Sequence, residues 1–255
     1  MLPPSFSLDA VLADGGSSLG EAVAEAGEPV PAGMERLAPV ESQEIWAAGV
    51  TYRRSRDARI EESIEPSPYD RVYAAERPEL FQKSPGWRAV GDGAPIGVRA
   101  DSDWNVPEPE LALVLDASMA IAGYTIGNDV SSRTIEGENT LYLPQAKTYD
   151  RSCAIGPAIV PASAITPPLG ISMEIVRDGK TVYGERTSTE AMARSFDDLT
   201  SHLGRALSFP VGVVLLTGTG IVPDPPFTLL PGDEVRVSID GLGTLSNPVV
   251  RVGAT

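Results

Sequence analysis

Two glutamates separated by a single residue, Glu108 and Glu110 in VPEPELALVL (106–115), are the first candidates for chemistry in this chain. Residues two apart on a strand share a face, so the two carboxylates stand side by side. There they repel, and on a buried face they cannot both stay ionised without a counter-charge. A hard cation makes use of both, and a third oxygen ligand completes such a site while leaving room for water or substrate. Asp129, at the end of the strand candidate IAGYTIGND (121–129), is the candidate third ligand. The pair equally suits a solvated strand face, because Leu111, Leu113 and Leu115 fall on the opposite one. Alternation alone leaves both readings open.

The elements that must carry these side chains read as a β scaffold. Gly and Pro together number 48 of the 255 residues, 25 and 23 respectively, which points to many turns. Strand candidates are EIWAAGVTY (44–52), ELALVLD (110–116), IAGYTIGND (121–129), AIGPAIVP (154–161), GISMEIVRDGKTVYGE (170–185), VVLLTGTG (213–220) and DEVRVSIDGLGTLSNPVV (233–250). Asp178-Gly179 and Asp240-Gly241 sit where hairpin turns belong. Helices are few: SLGEAVAEAG (18–27), RRSRDARIEES (53–63) and the serine-capped SFDDLTSHLGRAL (195–207). The expected fold is α+β and mostly β, with a small N-terminal domain (1–65) and a β-rich catalytic domain (66–255).

Composition narrows the class of function. A net charge of −15 disfavours phosphate backbones and anionic lipid, so no nucleic acid and no membrane are expected as partners. No apolar run reaches the roughly 18 residues of a membrane span, and the first residues lack the pattern of a signal peptide. The one cysteine, Cys153, fits a reducing, cytoplasmic setting and reads as a small core residue. The basic cluster Arg53–Arg59 reads as a solvated helix face, or as an attractor for an anionic substrate. Arg133 could orient a carboxylate or form a structural ion pair. His202, the sequence's one histidine, reads as structural or exposed.

Four ordered motifs then carry a resemblance. LFQKSPGWRAVGDGAPIGVRADSDWNVPEPELALVL, GYTIGNDVSSR, YLPQAKTYDRSCAIGPAIV and VVLLTGTGIVPDPPFTLLPGDEVRVSIDGLGTLSNPV resemble the fumarylacetoacetate hydrolase superfamily, over roughly residue 41 to the C-terminus. ESQEIWAAGVTYRRS, PELFQKS and IEGENTLYLPQAKTYDR are most similar to members that dehydrate 2-keto-3-deoxy-D-arabinonate. The resemblance implies a β-roll or sandwich, a homodimer or homotetramer, and Mg²⁺ on Glu108, Glu110 and Asp129, with Mn²⁺ or Ca²⁺ as substitutes. It places the family's active-site lysine on Lys147 and a general acid on Glu79. Ser84, in KSPGW, and Thr219, flanked in TGTG by glycines that permit close approach, are candidate substrate-binding residues.

Two chemistries fit that equipment. In a dehydratase, a 2-keto carboxylate chelates Mg²⁺, Lys147 removes a C3 proton, and Glu79 protonates the departing C4 hydroxyl. In a hydrolase of 2,4-diketo acids, an activated water cleaves a carbon–carbon bond. Such members use a His–Glu dyad on a lid helix, and RRSRDARIEES has no histidine, although a glutamate could serve. A silent protein that binds 2-keto acids without turnover is the third reading. The dehydratase is the expectation taken forward.

Overall fold

The computed structural model describes residues 6–16, 19–21, 34, 36–62 and 67–253. The expected helix at 18–27 lies largely outside them, with 19–21 helical. The expected domain boundary at 65/66 lies outside them too.

Two sheets stack to form the body. The first has six strands in the order β2 (Glu79–Pro85), β1 (Glu44–Gly49), β11 (Val213–Leu216), β5 (Pro109–Leu115), β6 (Ile121–Asp129) and β8 (Cys153–Pro161). The second has five, β10 (Lys180–Ser188), β9 (Gly170–Arg177), β12 (Glu234–Ile239), β13 (Gly243–Val252) and β3 (Ile96–Arg99). Pairing is antiparallel except for β1 with β11 and β13 with β3. A short ribbon of β4 (Asn105–Val106) and β7 (Ser131–Ser132) closes one end. The mostly β, helix-poor architecture is the expected one.

The core between the sheets takes Leu111, Leu113, Leu115 and Ile126 from one side and Met173, Ile175, Val235, Val237 and Leu245 from the other. A second core lies on the far face of the six-stranded sheet, where Ala112, Val114, Val214 and Leu216 pack against Leu8 and Leu12 of α1 (Leu8–Ala13). Strand β5 is therefore covered on both faces, and every one of its residues is buried. By alternation Glu108 and Glu110 share the face of Ala112 and Val114, beyond the reach of α1. Helix α2 (Arg53–Glu62), which spans most of 53–63, covers their end of the strand by placing Arg59 on Glu108.

Several boundaries shift for local reasons. Strand β1 stops at Gly49 because Val50 turns to φ 54°, a left-handed conformation that ends the extended run expected to reach Tyr52. The run expected at 213–220 stops at Leu216, and Gly218 (φ 89°) turns the TGTG loop. Both expected hairpins form, with Asp178 and Gly179 at φ 51° and 73° in the β9–β10 turn and Gly241 at φ 75° between β12 and β13. Strand β2 escaped the reading because Gln82, Lys83, Ser84 and Pro85 are poor strand formers. Three further helices were not expected: α3 (Ser67–Ala74), α4 (Arg133–Glu138) and α5 (Leu143–Lys147). Helix α6 (Phe196–Leu203) does have its expected cap, Ser195 accepting from the amide of Asp198.

Candidate metal centre and active site

Glu108, Glu110 and Asp129 converge. One carboxylate oxygen from each lies within 4.8 Å of the others, and all three residues are buried. The pairing of β5 with β6 causes this: Pro109 lies opposite Asn128 and Glu110 opposite Gly127, which sets Asp129 beside the glutamates. The amide of Asp129 donates to the carbonyl of Glu108 at 2.9 Å, which fixes that register. Three buried oxygen ligands with no soft donor among them suit a hard divalent cation of the Mg²⁺ or Ca²⁺ type.

The surroundings of the triad are unequal. Glu108 Oε1 accepts from Lys147 Nζ and Arg59 Nη2, each at 3.0 Å, and lies 3.0 Å from Arg133 Nη2. Burial opposes its ionisation, but these three cations outweigh it and hold its carboxyl far below the usual range. Glu110 has no such escort: its Oε2 accepts from the amide of Gly218 at 2.6 Å. Burial, and then the charges of Asp129 and Glu108, push Glu110 well above the carboxylate range.

Lys147, at the end of α5, is the hub of the cluster. Its Nζ reaches Glu108 Oε1 and Asp129 Oδ2 at 3.0 Å and Ser131 Oγ at 2.6 Å, with 1% of the residue exposed. Pro144 in the first turn starts α5, and the amide of Thr148 ends it on the carbonyl of Pro144, so the short helix presents Lys147 inward. Glu79 opens β2 opposite Gly49. Its carboxyl lies where a side chain on Gly49 would be: a Cβ there would stand 2.1 Å from Glu79 Oε2. Burial raises the Glu79 carboxyl above its ordinary value, against the pull of Arg59 and Lys147. The structure thus gathers Lys147 with the triad and holds Glu79 within electrostatic reach of both.

Ser84 and Thr219 are buried but their hydroxyls are engaged. Ser84 Oγ donates to the carbonyl of Pro85 at 2.9 Å. Thr219 Oγ1 donates to the carbonyl of Ile221 and accepts from its amide, both at 3.1 Å.

Lys83 and Glu136 join the site without having been singled out. Lys83 is fully buried; its Nζ lies 2.5 Å from Asp129 Oδ1 and donates to the carbonyls of Val130 (2.9 Å) and Lys147. Burial lowers the Lys83 ammonium, and Asp129 opposes that. Glu136 joins Arg133 (3.1 Å) and Arg59, so a second carboxylate shares the two guanidiniums that hold Glu108. Arg59 corrects the reading of Arg53–Arg59 as a solvated face: it is 7% exposed and faces inward. Arg133 both orients Glu108 and pairs structurally, so its two readings are one. The spacing of Arg133 and Glu136, three apart on a helix, was a usable signal. Nothing in the local sequence marks Lys83.

The remaining candidates lie elsewhere. His202 sits on α6 with its Nδ1 2.9 Å from the carbonyl of Asp198, and Cys153 is buried in the second core. No described helix is long and apolar enough to cross a membrane.

Comparison with known proteins bears on this geometry. The family model for the fumarylacetoacetate (FAA) hydrolase C-terminal region matches residues 44–250. A probable 2-keto-3-deoxyxylonate dehydratase of Haloferax volcanii is 54% identical over 216 residues, covering 84% of this chain and 74% of its own. A 2-dehydro-3-deoxy-D-arabinonate dehydratase of Saccharolobus solfataricus is 42% identical over 219 residues, with the same coverage. The solved structure of a 2-keto-3-deoxy-D-arabinonate dehydratase with magnesium and 2,5-dioxopentanoate superposes with a TM-score of 0.83 at 35% identity, covering 97% of this chain and 90% of that one.

Proposed function

Because the chain belongs to the fumarylacetoacetate hydrolase family, we propose that it dehydrates a 2-keto-3-deoxy pentonate to 2,5-dioxopentanoate, with Glu108, Glu110 and Asp129 as ligands of a divalent cation. The observation that carries this reading is Lys147, seated by three polar contacts between two of the carboxylates. Two relatives are named for xylonate- and arabinonate-derived substrates. D-xylonate and D-arabinonate differ only at C2 and C3, and both centres vanish in the 2-keto-3-deoxy form. In the D series the two names describe one compound.

When bound, the cation supplies fixed positive charge for the oxygens of a 2-keto carboxylate. Lys147, as the free amine, takes the proton from C3. Glu79, whose carboxyl is raised above its ordinary value, gives a proton to the C4 hydroxyl as the C4–O bond breaks, so that water leaves. A proton then passes from C5 back to C3, and the resulting C4–C5 enol gains a proton at C4 while its C5 hydroxyl loses one, giving the aldehyde. Arg59, Arg133 and Glu136 hold Glu108 in one orientation, and Lys83 does the same for Asp129. The hydrolase of 2,4-diketo acids lacks comparable support, since the sequence's one histidine is spent on α6.

The test is proton NMR of the protein with Mg²⁺ and 2-keto-3-deoxy-D-arabinonate, against an EDTA control. Formation of 2,5-dioxopentanoate in the metal arm alone is the expected result. Unchanged substrate, followed by pyruvate release from a 2,4-diketo acid, would replace the dehydratase with the hydrolase.

A further inference from the structure

Tyr52, from the motif GVTYRRS, has no task in the chemistry above, yet its position is costly to maintain. It is 1% exposed, and its Oη has no hydrogen-bond partner among the described residues. Buried polar atoms are rarely left this way, and each exception calls for a reason.

The chain goes out of its way to place it. Val50, a β-branched residue, adopts φ 54°, where such side chains are strained. That turn takes the chain from β1 into α2. Thr51 Oγ1 anchors it by donating to the carbonyl of Thr217 at 2.6 Å, and Ser55 Oγ closes on the carbonyl of Tyr52 at 2.8 Å. The Tyr52 ring lies against Gly220, where an added Cβ would stand 2.8 Å from Cδ1. Gly220 is two residues beyond Gly218, whose amide holds Glu110. Burial and then the charge of Glu110 raise the phenol above its ordinary value, so the hydroxyl keeps its proton and is a donor. Lys147 touches Glu108 and Asp129. Tyr52 thus lies against the loop that holds Glu110, with a proton to donate.

We infer that Tyr52 is a substrate-binding residue whose hydroxyl donates a hydrogen bond to an anionic oxygen of the 2-keto carboxylate on the Glu110 side of the site. An anionic oxygen is the acceptor that a lone buried donor stabilises most. C3 and C4 then point toward Lys147 and Glu79. The inference rests on the site being one for 2-keto acids.

The test is Tyr52→Phe, with oxalate as the probe. Calorimetric titration of oxalate into the Mg²⁺-loaded protein is expected to show affinity weakened roughly ten- to a hundredfold, with Mg²⁺ affinity unchanged and KM for substrate raised more than kcat is lowered. Metal-free Tyr52→Phe should melt at the parent's temperature or above it, because the lost hydroxyl had no protein partner. Oxalate bound as tightly as by the parent would overturn the inference, as would a lower melting temperature, which marks a structural hydroxyl. Absence of oxalate binding by the parent would overturn both this inference and the reading of the site. Oxalate binding with no dehydration would overturn the proposed reaction alone, leaving the ratio between variant and parent to decide Tyr52.

Discussion

Glu108 and Glu110 are the same residue type, two positions apart on one strand and on one face of it, and the fold treats them oppositely. Glu108 is held ionised by Lys147, Arg133 and Arg59; Glu110 meets one backbone amide and two like charges. Residue type and spacing set the possibility of a metal site. The cations brought by α2, α4 and α5 decide which carboxylate carries charge before a metal arrives. One half of the pair has its counter-charge within the protein, and in the proposed metal site the other would gain its own from the cation.

The sharpest way to break that comparison is to remove the half that waits for metal. Glu110→Ala should abolish Mg²⁺ binding and Mg²⁺-dependent turnover together, read by calorimetry and NMR; normal turnover would end the metal assignment. Lys147→Met should lower kcat by roughly 10²–10⁴-fold while Mg²⁺ is still bound, and a loss confined to KM would remove its role as base.

Isosteric amides test the electrostatics in the metal-free protein. Glu108→Gln leaves Arg59, Arg133 and Lys147 short of a negative partner and should destabilise by about 3–5 kcal/mol in urea unfolding at neutral pH. Because the Glu108 carboxyl is depressed below its ordinary 4.5, its contribution is present above that value and fades as pH falls toward the folded one. Glu110→Gln should do the reverse. The Glu110 carboxyl is raised, so the native state holds its proton above 4.5 and the parent loses stability as pH climbs through the folded value. The variant should match the parent near pH 4 and exceed it at pH 8. Two amide variants shifting stability in the same direction would erase the distinction.

Two smaller effects sharpen it. Glu79→Gln should cost roughly 10²-fold in kcat. It should also remove the alkaline limb that the parent shows as pH rises through the raised value of its acid. An unchanged limb would assign that ionisation elsewhere. Gly218→Ala places a Cβ 1.9 Å from Thr51 Oγ1 at φ 89° and should destabilise by about 1–3 kcal/mol. Weaker Mg²⁺ binding should accompany it, since relief of the clash displaces the amide that holds Glu110; full Mg²⁺ affinity would show that the amide does not position Glu110.

Much of the site was legible because it follows short periods. The two-residue repeat of a strand aligned Glu108 with Glu110, and the hairpin dipeptides marked where β9 and β12 turn back. Lys147 and Glu79 were singled out through motif resemblance, and the fold brings Lys147 onto Glu108 and Asp129. The burial of the pair was not legible. Alternating glutamate and leucine reads as a half-solvated strand, and the packing of α2 over the glutamates' end of the second face excludes water there. Lys83 was missed because a lysine on a weak strand former looks exposed until β2 is laid beside β1 and its ammonium meets Asp129. Arg59 was missed for the same reason on a helix of low amphipathicity.

By itself, the sequence determined which groups could ligate, most of the long strands, and where the hairpin turns fall, because these depend on side-chain type and on periods of two to four residues. Tertiary structure alone decided the charge state of each glutamate, the identity of its counter-ions and the orphaning of Tyr52. Those depend on desolvation and on contacts between residues far apart in the chain, such as the hydrogen bond of Thr51 with Thr217 (166 apart) and the ion pair of Lys147 with Glu108 (39 apart), which no local pattern encodes.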